Sequence, residues 1–252
     1  MDTTSKNLTV PRGKIFFAKY KSGTQTPGPM RELGNCPEFT LTRNSDTLQH
    51  FSSQAGLKEQ DDEIAIASTL TGALTTDDIK SENIAYFFMG DVGIITVTSL
   101  TAQVDTYLDT KTGDSFQIGP SDSNPSVTDG AASSPATLVA DTDYTVDADL
   151  GIITMLTDQA KVEITYDVAA STREQIVAGD NQIEGELKFV SFNAVGAQGD
   201  ITIPRARLAP NGDFALVNDP GSTAYQTMPL TITALKKGNL ALAYRDGRAV
   251  TS

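Results

Sequence analysis

The segment Gln182–Phe192 (QIEGELKFVSF) is followed, after a short gap, by Asp200–Leu208 (DITIPRARL). Apolar residues fall on alternate positions in both: Ile183, Leu187 and Phe189 in the first, Ile201 and Ile203 in the second. A period of two is the signature of a strand with one face on a core and the other in solvent. Ala197-Gln198-Gly199 supplies turn chemistry between them, so the two segments predict an antiparallel hairpin. Working outward, Lys14–Lys21 is an apolar and aromatic run, and Glu38–Thr42 (EFTLT) and Glu63–Ala67 (EIAIA) alternate again. Tyr225–Leu235 (YQTMPLTITAL) reads as the last long strand, and Pro229 predicts an edge position or a bulge in it. Phe39, Leu41, Ile64 and Ile66 are assigned to the core with the five residues above. Glu38, Thr40, Thr42, Glu63, Glu184, Glu186 and Asp200 are assigned to the opposite, polar face. The fold class that follows is mainly β.

One segment has a helical period. In Thr75–Gly90 (TTDDIKSENIAYFFMG), Ile79, Ile84, Phe87 and Phe88 form an apolar stripe. Thr75 or Thr76 is placed as N-cap, and Asp77 and Asp78 suit the positive end of the helix dipole. Gly90 is placed at the C′ position. The spacing predicts a helix over 76–89 packed on the sheet. Ser45–Asp62 is long, polar and Gln-rich, and is expected to be a connecting loop with a function of its own. Residues 112–140, rich in Ser, Thr, Asp, Pro and Gly, read as exposed loop. Thr142–Leu156 then predicts two strands around a turn at Asp147–Gly151, and Lys161–Asp167 continues that sheet. Residues 91–172 are therefore expected to be a β-rich insertion into a parent domain formed by 1–90 and 173–252.

Composition narrows the chemistry. The chain has 252 residues, one cysteine (Cys36), one histidine (His50), no tryptophan and a formal net charge of −13. One cysteine excludes an internal disulfide and multi-thiolate zinc or iron–sulfur sites. One histidine argues against His-based catalysis. The acidic balance argues against binding driven by counterion release from nucleic acid. Met1–Gly13 is polar and no stretch approaches about 20 apolar residues, so neither a signal peptide nor a membrane span is expected. The expected setting is a reducing cytoplasm, with Cys36 a small buried hydrophobe.

The charge is uneven. Residues 1–30 carry five cations and Asp2; residues 91–170 carry two lysines against 13 acids; residues 232–252 carry four cations and Asp246. Two basic ends thus flank an acidic body. The acidic run Asp61-Asp62-Glu63 beside His50 invites a divalent-cation reading, but strand alternation separates Asp62 from the other two. Asp141–Asp149 lacks the Gly and Glu spacing of an EF-hand. Glu184 and Glu186 share a face, as a glycosidase pair would, yet no tryptophan platform accompanies them. No cofactor and no metal is expected, and no catalytic residue is assigned.

Several segments, in order, resemble the major tail tube protein of long, flexible-tailed bacteriophages. They are Gly13–Tyr20 (GKIFFAKY), Arg31–Thr42 (RELGNCPEFTLT), the stacking hairpin loop at Leu48–Ile64, Ser81–Gly90 (SENIAYFFMG), Thr142–Gly151 (TDYTVDADLG) and Gln182–Gly212. The resemblance spans about nine tenths of the chain and varies most over 91–172. It implies a β-sandwich or half-barrel flanked by one helix, whose strands join an inner barrel made by several copies. Six copies would form a ring, and rings would stack into a hollow tube in the phage tail, assembled in the host bacterial cytoplasm. Implied partners are further copies, the tape measure protein, the tail tip and tail terminator proteins, and viral DNA in transit through the lumen.

On that resemblance, Glu38, Thr40, Thr42, Glu63, Glu184, Glu186 and Asp200 line the lumen. An acidic wall would repel phosphate over about 8–10 Å at physiological salt, and Lys188 departs from it, to be balanced by Glu184 or Glu186. Gln49, His50, Gln54 and Lys58 in the loop 45–62 are expected to bridge successive rings. Arg12 in an N-terminal arm 1–13, and Lys236 and Lys237 in a C-terminal arm 236–252, would share that task. Residues 91–172 would face outward. The competing reading is a secreted or surface-exposed adhesin or carbohydrate-binding β-domain, supported by the Thr/Ser/Asp-rich β composition.

Overall fold

The computed structural model describes residues 8–53, 56–119 and 125–247. The chain divides into two compact units, Met1–Gly93 with Ile176–Ser252, and Ile94–Gln175. In chain order the elements are β1 (Gly13–Lys19), β2 (Arg31–Glu32), β3 (Glu38–Ser52), β4 (Glu59–Thr76), α1 (Ser81–Phe87) and β5 (Asp91–Val97). Then come β6 (Leu100–Thr110), β7 (Ser115–Gln117), β8 (Ser126–Thr128), β9 (Tyr144–Asp147), β10 (Ile152–Met155), β11 (Gln159–Val168) and β12 (Ser171–Val177). The chain finishes with β13 (Ile183–Ser191), β14 (Gly199–Pro210), β15 (Met228–Ala234) and β16 (Tyr244–Gly247). The fold is mainly β, built from antiparallel sheets with no closed barrel and one helix among the described residues.

The hairpin with which the alternation began is the centre of the first unit. β13 and β14 pair with Ile183 opposite Leu208, Leu187 opposite Ile203 and Phe189 opposite Ile201. Around it an eight-stranded sheet runs β2-β1-β13-β14-β15-β4-β3, with β16 paired to β14. Ile15, Phe17, Leu74, Ile183, Leu187, Ile203, Leu208, Leu230 and Ile232 form one buried cluster. Each fully buried aliphatic or Phe side chain of this kind contributes about 1.5–3 kcal/mol. The sheet is strongly curled: Phe39 of β3 lies 5.6 Å from Phe189 of β13, ring to ring, although β14, β15 and β4 separate the two strands in order. That curl encloses the core in a sandwich-like half-barrel.

The helix closes the same core. Tyr86 stacks edge-on against Phe17 at 5.4 Å, and Asn83 Nδ2 donates to Leu33 O (3.0 Å) and Asp78 O (2.8 Å). Its limits differ from the expected 76–89. Thr75 and Thr76 belong to β4, opposite Pro229 and Met228, and the residue at the N-cap position is Lys80. The ladder to β15 captures both threonines before a helix can begin. Thr76 Oγ1 instead donates to Leu33 O and accepts from the Asp78 N–H, which turns the chain into α1. At the other end Met89, not Gly90, takes the left-handed conformation (φ 52°). Met89 N–H donates to Tyr86 O and Gly90 N–H to Ala85 O, the paired bonds of a Schellman motif. Gly90 is required for another reason: a Cβ there would collide with the Val177 carbonyl.

Four other expectations are corrected. Ser45–Asp62 is not an irregular loop, because β3 and β4 stay paired from Glu38↔Thr75 to Ser52↔Glu59. Beyond Leu70 the pair runs past the rest of the sheet as a two-stranded arm, since β15 ends opposite that residue. Ile64 (58% exposed) and Ile66 (66%) therefore lie outside the core: the strand continues where none of the described residues buries it. The other two corrections concern chain position. Pro229 is in the interior strand β15, tolerated because it is the strand's second residue and the ladder to β14 starts only at Leu230. Tyr225–Leu235 is followed by one more strand, β16, so the expected C-terminal arm folds back on the sheet through residue 247.

The second unit has its own core of Val127, Tyr144, Ile153, Met155, Val162 and Ile164, between the sheets β7-β10-β9 and β6-β11-β8. The turn at Asp147–Gly151 forms with Asp147 Oδ1 accepting the Asp149 and Leu150 N–H groups. Residues 112–140 contain two short strands, β7 and β8, as well as loop. β5 and β12 pair as a two-stranded sheet where the chain leaves the first unit and returns to it.

A left-handed Met at a helix terminus carries strain that glycine relieves. Met89→Gly removes a left-handed penalty of about 1–2 kcal/mol, partly offset by the greater freedom of glycine in the unfolded chain, and is expected to raise stability by a net ~0.5–1 kcal/mol, read as a higher denaturant midpoint at constant slope. An unchanged or lower midpoint refutes this account of the helix end.

Candidate functional site

The outer face of the curled sheet is where the sequence placed its site. Cross-strand register aligns the residues in rows. Thr42, Thr71, Thr233, Arg207 and Glu184 are successive partners across β3, β4, β15, β14 and β13. The next row is Thr40, Ala73, Thr231 and Ala209, and the next Glu38, Thr75 and Pro229. All lie on the side away from Phe39, Leu41, Leu74, Leu230 and Ile232. β-branched threonine fits a pleated surface and presents a methyl and a hydroxyl together. The result is an uncharged Thr/Ala field between a carboxylate, Glu38, at one edge and a charged cluster over β13–β14.

That cluster alters the expected electrostatics. Glu184 accepts from Arg205 Nε (2.9 Å) and from Arg207 Nε (3.3 Å) and Nη2 (2.8 Å). Burial alone would raise its carboxyl, but the bonds from Arg207 and Arg205 outweigh that and hold it below the usual carboxylate range. A carboxyl held ionised in this way is a poor general acid, which weighs against a glycosidase pair with Glu186. Arg205 and Arg207, rather than Lys188, are its partners. Asp200 Oδ1 accepts the Ser191 N–H (2.9 Å) and so secures the end of the β13–β14 hairpin. Five carboxylates (Glu38, Glu184, Glu186, Asp200 and Asp246, the last opposite Asp200) thus meet three cations (Lys188, Arg205, Arg207), and the face is weakly rather than strongly acidic.

Glu63 does not share this face. It pairs with Gln49, an odd position on β3, whose alternation runs unbroken from Glu38; it therefore sits on the side of Phe39 and Leu41. The extra residues that shift register lie on β4, Ile66 opposite Asp46/Thr47 and Asp61 opposite His50/Phe51. The second bulge explains why alternation misplaced Asp61: His50 Nδ1 contacts Asp61 Oδ1 at 2.5 Å. Among the described residues no three His, Cys, Asp or Glu side chains gather within reach of one metal ion.

The arm is the second notable surface. Gln49, His50 and Lys58 are exposed on it; Gln54 lies outside the described residues. Leu48 and Ile64 face each other across the two strands, both in water, and Leu57 is exposed near the tip. Lys58 Nζ sits 4.2 Å over the Phe51 ring. A two-stranded ribbon with both faces wet is marginal alone, and exposed apolar groups on it mark a contact surface.

The expected basic arms are more tied down. Arg12 is exposed, but its N–H donates to Asn193 Oδ1 and its carbonyl accepts from Phe192. Lys236 O accepts from Arg205 Nη1, and Lys237 Nζ lies 4.8 Å over the Tyr20 ring. Residues 1–7 and 248–252 lie outside the described residues. Cys36 is half-buried, and burial pushes its thiol up to about 11, far from a reactive thiolate.

Sequence reading overlooked Arg205, Arg207, Thr71, Thr231 and Thr233. Their signal was present: Arg-Ala-Arg and Thr-Ile-Thr carry the same i, i+2 spacing used for the lumen residues.

A match across residues 9–241 places the chain in the family described as protein of unknown function UCP028589; the chain belongs to that family. No curated protein matches it.

Glu184→Gln leaves two guanidinium groups without their carboxylate and is expected to cost about 1–3 kcal/mol at pH 7. Because the folded carboxyl titrates below its unfolded value, its contribution is present above the unfolded pKa of about 4.3 and lost as pH falls through the folded value. The stability gap between wild type and Glu184→Gln, read by denaturant titration, should therefore close in acid. A gap that is constant with pH contradicts the pairing.

Proposed function

We propose that this chain is a structural virion protein, the major tail tube subunit of a long-tailed bacteriophage. Six copies form a ring, and the rings stack into a tube that conducts viral DNA. The observation that carries this reading is the β3–β4 arm. A single chain gains little by extending two strands past its core with Leu48, Ile64 and Ile66 in water; copies that cover one another's arms gain that burial. The sheet also ends on β3, a long strand whose outer edge has no partner among the described strands, and such edges invite pairing with a neighbour.

In this reading the Thr/Ala field with Glu38, Glu184, Glu186 and Asp200 faces the lumen. Its weak net negative charge gives phosphate no attraction and only modest repulsion, so DNA passes without being held. The arm, with Gln49, His50 and Lys58, and the residues Arg12, Lys236 and Lys237 make contacts between copies. The tape measure, tail tip and tail terminator proteins would meet the same tube in the virion, after assembly in the host cytoplasm. The chain performs no catalysis and needs no cofactor.

The test is assembly. Concentrated protein should form hollow tubes in negative-stain micrographs. Replacing residues 46–67 with Asn-Gly joins Ser45 to Ser68, which already face each other, through a tight turn. That variant should remain folded by circular dichroism yet form no tubes; tubes of normal length from it would refute the role of the arm. Replacing 94–175 with a short linker should leave tube diameter and ring spacing unchanged, and loss of assembly would show that this unit builds the tube.

A further inference from the structure

Residues 211–227 connect β14 to β15 without regular structure, a length that is uncommon in compact folds. The connection is nevertheless shaped. Phe214 packs on Phe87 and Phe88, with ring centroids at 5.4 and 6.4 Å. Gln226 Nε2 donates to Ala215 O and closes the neck, and Asp219 Oδ1 accepts the Gly221 N–H at 2.7 Å. Held on this frame, Leu216, Val217 and Tyr225 are 77%, 89% and 90% exposed. Three large apolar side chains this bare on one organised loop mark a docking element rather than scattered surface residues.

The same unit carries a receptor of matching chemistry. An open pocket of about 360 Å³ is lined by Cys36, Pro37, Phe39, Leu41, Phe189 and Ile201, where the curled sheet brings β3 over β13. Phe87 and Phe88, on which the loop rests in its own chain, do not line it. Charge complements shape. Residues 211–227 contain Asp213 and Asp219 and no cation. Arg12 lines the pocket, and Arg245 is the ladder partner of Ile201. Among the described residues none of these four has an ion-pair partner in its own chain.

We infer that loop 211–227 of one copy seats Leu216 and Val217 in the Phe39–Phe189–Ile201 pocket of a second copy, with Asp213 and Asp219 facing Arg12 and Arg245. This rests on the self-assembly reading above and names a contact that it requires. The two patches differ, so the contact is heterologous and repeats from copy to copy, closing a ring or extending a filament.

Cysteine cross-linking tests it. In a Cys36→Ser background, Pro37→Cys and Val217→Cys are combined, both at exposed positions. Concentrated protein is oxidised with copper–phenanthroline and run on non-reducing gels. The expected result is a ladder of dimers, trimers and larger disulfide-linked species, while either cysteine alone gives at most dimers. Assembly of the double-cysteine protein into particles without a ladder overturns the docking and leaves the tube reading standing. Wild-type protein that sediments only as a monomer at the same concentration overturns both.

Discussion

The pairing of β3 with β4 governs this structure. It begins over the core, where Phe39 and Leu41 pack inward opposite Leu74 and Gly72, and it continues past the last residue of β15 into solvent. Within the core, the ladder fixes which side chains are buried, because a shift of one residue would turn every apolar group outward. Beyond the core the same backbone bonds hold the ribbon together, and no other described strand pairs with it. One continuous interaction therefore produces both the folded unit and its exposed arm. The two β4 bulges, at Ile66 and Asp61, are confined to the arm, where register is no longer constrained by a core.

The outer face depends on that register too. Threonines from β3, β4 and β15 align only because their strands pair in one phase, and the same phase delivers Arg207 to Glu184. The charge of the face is thus a property of pairing rather than of composition. A chain with net charge −13 presents here a surface on which cations offset most of the carboxylates. Much of the net negative charge lies instead between residues 91 and 170.

Local period was enough to read β13, β14 and the start of β3, since each alternates and each has a core beneath it. It failed at Ile64 and Ile66, which alternate equally well: a pattern shows that one face is apolar, not that anything lies against it. Thr75 and Thr76 have the chemistry of helix caps, yet the ladder to β15 claims them, a tertiary preference that no local window contains. Asp61 was misplaced because a bulge breaks the count of two. Met89 holds the left-handed position beside a glycine better suited to it, because Gly90 is needed for the approach of Val177. The Arg205–Glu184–Arg207 cluster was readable from spacing within each strand, but only the β13–β14 register puts the three groups together.

In the proposed tube, copies of this chain enclose a channel lined by the Thr/Ala face. Helical reconstruction by electron cryomicroscopy of the purified, self-assembled protein tests it most directly. The expected map is a hollow, ring-stacked tube with Thr40, Thr42, Thr231 and Thr233 turned to the channel and the β3–β4 arm buried between copies. Protein that yields only discrete monomers, or a tube with that face on its outside, would contradict it.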